Sequence, residues 1–247
     1  MQIAVLSDLH LGEKDKLDQF HRHVGAEQKL YHLLNYLEGH VDKIILLGDI
    51  FETLRGRTMN TRTTLVNILQ AYPEFTNKIL DNDKYELLQG NHDLITVDLL
   101  NAKENLIIKD RGQNMCFFHG HQLDPEVADF WTRNFEHFGV WAGGWFARMG
   151  LDWTRSMNEM SKQKALRHEW VAAKFEEKAA QLGRAAGCNI VVTGHSHHPM
   201  KVEYGDTLYL NSGTRVAARQ DLIIIDTAAT TYDIYKEFDS DSQHSTY

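Results

Sequence analysis

Five short motifs of this sequence contain residues that can bind metal ions or transfer protons. In chain order they read Asp-x-His, Gly-Asp, Gly-Asn-His-Asp, His-Gly-His and Gly-His-x-His. Histidine is both the usual acid or base near neutral pH and the commonest metal ligand. Imidazole and carboxylate ligands without thiolate suit Mn, Fe, Zn or Ni better than Ca or Mg alone. The candidate residues are Asp8, His10, Asp49, Asn91, His92, Asp93, His119, His121, His195 and His197.

Each of these motifs directly follows a short apolar run that predicts a buried strand. The runs span residues 2–6, 43–47, 85–88, 115–118 and 189–192. Apolar residues at helical spacing in 27–37 and 61–71 predict helices, so the first elements resemble a β-α-β unit with a parallel sheet. Ligands of open α/β sheets bind at the carboxyl ends of the strands, and we therefore expect the five motifs to converge there.

The spacing within the motifs predicts how their side chains reach a metal ion. Side chains of extended backbone alternate with a period of two, which places Asp8 and His10 on one side of the chain. The same argument applies to His195 and His197. Each pair can chelate an ion, and a carboxylate at a central strand end can bridge two ions about 3.5 to 4 Å apart.

Two further regions complete the chain, which we expect to form a single domain of residues 1–247. Runs at 200–203, 207–210, 222–225 and 231–235 predict short strands of a mostly antiparallel second sheet. Residues 122–187 contain all the Trp residues of the chain, and the helical spacing of their aromatic side chains predicts a helical insertion. This insertion is interpreted as a cap over the site, as an interface for a homodimer, or as a helical hairpin with its own core.

The composition excludes several classes of protein. With 43% hydrophobic and 24% charged residues, the chain is typical of a globular protein. The net charge of −8 argues against unaided nucleic-acid binding, which depends on many cationic contacts to phosphate. No apolar run approaches the roughly 18 to 20 residues of a membrane-spanning helix, and no secretory pattern opens the chain, so we expect a cytoplasmic protein. Cys116 and Cys188 form no CxxC motif and are expected to be free buried thiols.

The order of the five motifs resembles that of the calcineurin-like metallophosphoesterase superfamily: D-x-H, G-D, G-N-H-[DE], a lone His and G-H-x-H. In this chain the motifs span residues 8–197. The resemblance implies a four-layer α/β/β/α sandwich of two mixed sheets flanked by helices. It also implies two divalent metal ions, with manganese as the first expectation and Fe, Zn or Ni as alternatives. The implied reaction is hydrolysis of a phosphoester or pyrophosphate bond by a hydroxide that bridges the metals.

The resemblance also assigns a role to each motif residue. One ion is bound by Asp8, His10 and His197, and the second by Asn91, His119 and His195, with Asp49 as the bridge. His92 is the proton donor or phosphate contact, oriented by Asp93. His119 is preferred to His121 as the lone ligand, and His121, on the other side of Gly120, is the alternative. The alternative to an enzyme is a non-catalytic metal-binding scaffold, although such a scaffold normally loses ligands or the GNH histidine, and neither is lost here.

The substrate class is read from the residues around the motifs. The Ser/Thr protein phosphatases carry GDxVDRG and RGNHE, whereas this chain has GDIFETLRG and QGNHD. GDIFE and the insertion are more similar to the UDP-2,3-diacylglucosamine hydrolases, but His92 stands where those enzymes typically have the Arg of GNRD. Two interpretations compete with this one: a phosphodiesterase or nuclease, and a phosphatase that acts on nucleotides or small phosphomonoesters. We expect a small phosphoester substrate, nucleotide- or lipid-linked, with Asn91, Arg55 and Arg57 as candidate contacts, although loop arginines are also commonly just solvated.

Overall fold

The computed structural model describes residues 1–124, 175–216 and 219–236. Most of the predicted insertion at 122–187, including its Trp residues, lies outside the described residues. Within the described part of that range, residues 175–185 are helical. The single-domain assignment and the insertion therefore stay predictions.

The described residues form ten strands and four named helices, in addition to residues 175–185. The strands are β1 (Gln2–Leu6), β2 (Lys43–Leu47), β3 (Tyr85–Leu88), β4 (Asn105–Asp110), β5 (Gln113–Phe118), β6 (Ile190–Thr193), β7 (Met200–Tyr204), β8 (Thr207–Asn211), β9 (Leu222–Asp226) and β10 (Thr231–Tyr235). The helices are α1 (Ala26–His40), α2 (Thr61–Ala71), α3 (Pro73–Asp81) and α4 (Thr96–Leu100). No helix of the described residues combines the length and the apolar character that crossing a membrane requires.

Local sequence explains where the main helices form. In α1 the buried residues Leu30, Leu33, Leu34 and Leu37 follow the i, i+3, i+4, i+7 pattern of an amphipathic helix. Helix α2 begins where the Asn60 side chain accepts a hydrogen bond from the amide of Thr63 at 3.1 Å. The predicted helices at 27–37 and 61–71 are therefore confirmed, while β4, α3 and α4 are additional to the prediction.

The strands form two five-stranded mixed sheets, with the orders β10-β9-β1-β2-β3 and β4-β5-β6-β8-β7. In the first sheet β1, β2 and β3 are parallel, and β9 runs antiparallel to β1. In the second, β5, β6 and β8 are parallel, and β4 and β7 are antiparallel at the edges. The carboxyl ends of the parallel strands are thus the places where the motifs begin.

The last four strands do not form a sheet of their own, so that part of the prediction was wrong. The hairpin of β7 and β8 joins the second sheet beside β6, whereas the hairpin of β9 and β10 joins the first sheet beside β1. Strand β9 buries Leu222, Ile223 and Ile225, a run that needs cover on both faces and obtains it inside a sheet. Local alternation predicts which strands form hairpins but not which sheet a hairpin joins.

Three apolar layers hold the sheets and helices together. Leu34, Leu37, Ile44, Leu46 and Phe75 belong to a core between the first sheet and helices α1 to α3. The opposite face of the same sheet packs on the second sheet through residues that include Val5, Ile45, Leu47, Met115 and Val192. Beyond the second sheet, Phe118, Val191 and Tyr209 pack against Phe175 and Ala179 of the 175–185 helix. This is the α/β/β/α arrangement of two mixed sheets that the resemblance implied, and it is confirmed.

Cys116 and Cys188 form a disulfide, so the expectation of free thiols was wrong. Cys116 lies in β5, and Cys188 lies two residues before β6, the strand that pairs with β5. The two Cα atoms are 6.0 Å apart although 72 positions separate them in the chain. The pairing therefore depends on the neighbouring positions of β5 and β6, which sequence spacing alone does not reveal.

Reduction of this disulfide should lower the free energy of unfolding by about 2 to 4 kcal/mol, because the bond restricts the unfolded chain. Urea unfolding of the oxidised protein with and without reductant measures the change. A Cys116→Ser/Cys188→Ser variant is the control and should not respond to the reductant. Two titratable thiols in urea-unfolded protein that was prepared without reductant would contradict the pairing.

Candidate metal centre

The strand-end motifs converge on one edge of the two sheets. Three groups of side chains each place their ligand atoms within 4.8 Å of one another. They are Asp8 with His10 and His197, Asp49 with His119 and His195, and His10 with Asp49 and His92. The first two groups match the two ion sites that the resemblance implies, and the third brings His92 next to both.

The backbone at five of these residues is left-handed, with φ of 52° at Asp8, 51° at His10, 52° at Asp49, 65° at His195 and 59° at His197. The extended backbone expected for D-x-H and H-x-H is therefore not what brings the side chains together. Asp and His are enriched among non-glycine residues with this conformation. Each such position costs on the order of 1 to 3 kcal/mol and is typical of functional sites.

The left-handed turns also separate the two histidines of the last motif. His197 lies in the group of Asp8, with its Nε2 2.9 Å from Asp8 Oδ1. His195 lies in the group of Asp49 and His119, and its ring centroid is 5.3 Å from that of His119. One motif thus supplies a ligand to each group.

Asp49 lies between the two groups. Its Oδ2 is 3.3 Å from Nε2 of His119 and 3.8 Å from Nε2 of His10, and its Oδ1 accepts a hydrogen bond from the amide of His92 at 2.8 Å. Burial alone would raise the pKa of Asp49, but His119, His92 and His10 hold it well below the usual range. The carboxylate is therefore ionised at neutral pH and placed to bridge two cations.

Four buried ligand atoms of this centre make no hydrogen bond with the described residues: Asp8 Oδ1, His10 Nε2, Asn91 Oδ1 and His119 Nε2. Asp8 Oδ1 and His119 Nε2 instead face other ligand atoms, His197 Nε2 at 2.9 Å and Asp49 Oδ2 at 3.3 Å. A buried polar atom without a partner costs about 1 to 3 kcal/mol, and several in one place call for an ion or water. They are carboxylate, amide and imidazole donors without thiolate, a set that suits Mn, Fe, Zn or Ni. The residues present therefore fit two divalent ions.

Glycines at two strand ends give the ligands the room they need. A Cβ at Gly90 would lie 2.1 Å from Asp49 Oδ1, and one at Gly48 would lie 2.6 Å from His119 Nδ1. Gly48 also has a φ of 82°. His119 Nδ1 is 2.9 Å from the carbonyl oxygen of Leu47, which directs Nε2 toward Asp49. The structure thus brings His119 to the centre, whereas His121 belongs to none of the three groups found among the described residues.

The expected pairing of Asp93 with His92 is not observed. The Asp93 carboxylate accepts backbone amide hydrogen bonds from Gly90 at 2.6 Å, Ile50 at 2.8 Å, Phe51 at 3.2 Å and Asp49 at 3.3 Å. It therefore fixes the loop after β2 against the loop after β3. Its side chain is occupied in this role and does not orient the neighbouring imidazole.

Glu52 orients His92 instead. The carboxylate oxygens of Glu52 lie 3.0 and 3.1 Å from His92 Nδ1, and one of them is 3.3 Å from His10 Nδ1. Burial opposes protonation of His92, but Glu52 and then Asp49 outweigh it and raise its pKa to about 9. Sequence reasoning missed Glu52, although it stands in the GDIFE segment three residues after Asp49.

A cavity of about 270 Å³ opens onto the centre. Its described lining includes Arg55 and Gln19 as well as His92 and the metal-site residues. Arg55 Nε lies 3.8 Å from Glu52. Arg57 is not part of this lining: its amide donates to Glu13 at 2.6 Å, and its guanidinium lies near Glu13 and Asp15. Arg55 thus lies in the lining of the cavity, and the expectation that Arg57 contacts a substrate stays a prediction.

The sequence was compared with families and with known proteins. The model of the calcineurin-like phosphoesterase family matches residues 1–199, a range that includes every motif residue described above. None of the curated proteins matches the chain.

Solved structures with a similar fold have low sequence identity. A phosphodiesterase from an archaeon is 15% identical, with a TM-score of 0.46 and coverage of 96% of this chain and 99% of that one. A Zn²⁺ complex of Vps29 from Entamoeba histolytica is 16% identical, with a TM-score of 0.46 and coverage of 96% and 91%. A predicted phosphoesterase from Streptococcus pneumoniae is 14% identical, with a TM-score of 0.42 and coverage of 95% and 97%. At these scores the similarities carry no argument about activity.

Replacing Gly90 by Ala should weaken metal binding by on the order of 10 to 100-fold, because the new Cβ displaces Asp49 Oδ1. Calorimetric titration of metal-free protein with Mn²⁺ measures the affinity. Gly39→Ala is the matched control, since a Cβ at that position meets nothing within 4 Å. An unchanged affinity in folded Gly90→Ala protein would show that the close approach of Gly90 to Asp49 is not needed.

Proposed function

The chain belongs to the calcineurin-like phosphoesterase family, and from that premise we propose that it is a dinuclear metal-dependent hydrolase of phosphoesters. The observation that carries the proposal is the set of buried ligand atoms that make no hydrogen bond, on both sides of the ionised Asp49 carboxylate. A scaffold without catalysis has no need for a positioned proton donor beside such a site. This chain has one in His92, which Glu52 holds at 3.0 Å.

The residues divide into two ligand sets and a bridge. Asp8, His10 and His197 would hold one ion, Asn91, His119 and His195 the other, and Asp49 would contact both. Divalent ions held there supply neutralisation of phosphate charge and activation of water for attack on phosphorus. We propose manganese as the resident metal, with Fe, Zn or Ni as alternatives that the same donors accept.

His92 is the proposed general acid. Its Nδ1 is occupied by Glu52, so Nε2 is the ring atom left to meet a substrate in the cavity that His92 helps to line. The Glu52 carboxylate favours the protonated imidazole, because it lies 3.0 Å away in a buried setting. A positioned acid of this kind can protonate the alkoxide that leaves as the phosphoester bond breaks.

Arg55 and Asn91 are the proposed substrate contacts. Both line the cavity, and a guanidinium is suited to bind phosphate oxygens. We propose a phosphodiester or phosphomonoester as the substrate, since about 270 Å³ accommodates a phosphate group with a modest organic substituent. A nucleotide-linked lipid pyrophosphate is the second candidate, and the GDIFE segment is what favours it.

A panel of phosphoesters tests the proposal. Metal-stripped protein, reconstituted separately with Mn, Zn, Fe and Ni, should hydrolyse bis(p-nitrophenyl) phosphate or p-nitrophenyl phosphate with at least one metal. Asp49→Asn should abolish the activity while the protein remains folded by circular dichroism, because the bridging charge is lost. No hydrolysis of any ester with any of these metals would favour the scaffold interpretation.

Replacing His92 by Ala should lower turnover of an ester with an alkyl leaving group by roughly 10² to 10⁴, the usual contribution of a positioned acid. An ester of nitrophenolate should be affected less, because that leaving group needs no proton. Metal content should not change, and His40→Ala, at an exposed position at the end of α1, is the matched control. Loss of an ion from His92→Ala would instead make His92 a ligand in the group with His10 and Asp49.

A further inference from the structure

The imidazole of His195 is held from outside the five motifs. Its Nε2 lies 3.1 Å from Oδ2 of Asp124, and its ring stands between the rings of His119 and Phe175, with centroid distances of 5.3 and 6.0 Å. Asp124 follows the short 3₁₀ turn His121–Leu123, directly after the strand end that carries His119. Nothing in the sequence pattern pointed to this residue.

The contact determines which ring nitrogen of His195 can bind a metal. An imidazole that donates its Nε2 proton to a carboxylate keeps its lone pair on Nδ1, and such a carboxylate also makes the ring a stronger ligand. We therefore propose that Asp124 is a positioning residue that selects the tautomer and the rotamer of His195 for the ion shared with Asp49 and His119. This inference rests on the proposed function, because it assumes that an ion binds there.

The backbone around Asp124 fixes this carboxylate relative to the ligands. The amide of Leu123 donates to the carbonyl of Gly120 at 2.9 Å, and the amide of Asp124 donates to the carbonyl of His121 at 3.3 Å. The amide of Gly194 donates to the carbonyl of His119 at 3.1 Å, which joins the loop of His119 to the loop of His195. Asp124 and His195 are thus carried by two loops that are hydrogen-bonded to each other.

Other imidazoles of the centre have acceptors on the ring nitrogen that does not face the ligand atoms. His119 Nδ1 is 2.9 Å from the Leu47 carbonyl, and His10 Nδ1 is 3.3 Å from Glu52. Asp124 gives His195 the corresponding partner. Outer partners of this kind typically contribute 10 to 100-fold in metal affinity or activity.

Titration of metal-free protein with Mn²⁺, followed by calorimetry and by electron paramagnetic resonance, tests the inference. Wild-type protein should bind two ions and show the spectrum of an exchange-coupled pair. Asp124→Ala should bind one ion with unchanged affinity and the other about 10 to 100-fold more weakly, with a mononuclear spectrum at low loading. Asp124→Asn keeps an acceptor oxygen and should restore most of the lost affinity.

Two controls separate positioning from a general effect on the fold. Asp206→Ala removes another carboxylate, which is exposed and paired with Arg184 at 3.1 Å, and should change neither ion. The Asp124→Ala/His195→Ala double variant should bind metal no more weakly than His195→Ala alone, because residues that act through one contact are not additive.

Three other outcomes would overturn the inference in distinguishable ways. If wild-type protein binds two ions and Asp124→Ala binds both equally well, Asp124 has no positioning role and the proposed function is unaffected. A further loss of affinity in the double variant leads to the same conclusion. If wild-type protein binds no Mn²⁺ at all, the proposed function fails and this inference fails with it.

Discussion

The ionised carboxylate of Asp49 is buried among imidazoles, and this charge is the constraint on which the rest of the site depends. Burying a carboxylate is costly unless cations or hydrogen-bond donors surround it. Here the amide of His92 donates to one oxygen at 2.8 Å, and His119 lies 3.3 Å from the other. The Asp93 carboxylate accepts hydrogen bonds from the backbone amides of Asp49, Ile50 and Phe51, and these bonds hold the loop after β2 in place. Positive charge around this point offsets the remaining cost, and under the proposed function the two bound ions supply it.

The fold brings the motif side chains to Asp49 because parallel strands from two sheets end at the same edge. Strands β1, β2 and β3 of the first sheet and β5 and β6 of the second bring their motifs to this edge. The chain turns immediately after each strand through left-handed residues, and the loops hold one another: the amide of Asp8 donates to the carbonyl of Gly48 at 3.1 Å, and that of His10 to the carbonyl of Asp49 at 3.0 Å. The residues with left-handed backbone in the loops after β1 and β2 are therefore held in place by hydrogen bonds between these two loops.

Features of the fold that depend on local sequence pattern could be predicted from the sequence alone. Apolar runs that end in polar motifs predicted the strand ends, and apolar residues at helical spacing predicted α1 and α2.

The partner of His92 was not predictable in this way, because Glu52 stands 40 positions away while Asp93 is adjacent. The pairing of Cys116 with Cys188 and the placement of β9 beside β1 likewise depend on which strands become neighbours. The left-handed turns were missed because alternation along an extended strand is the default expectation after a β run, and steric relief from Gly48 and Gly90 becomes visible only in three dimensions.

We propose that two ions bind on either side of Asp49 and that the histidines of one motif are divided between them. Anomalous scattering from crystals grown with Mn²⁺ measures this most directly. We expect two peaks about 3.5 to 4 Å apart, one beside Asp8, His10 and His197 and the other beside His119 and His195, with Asp49 contacting both. A single peak, or a peak enclosed by His10, Asp49 and His92, would contradict it.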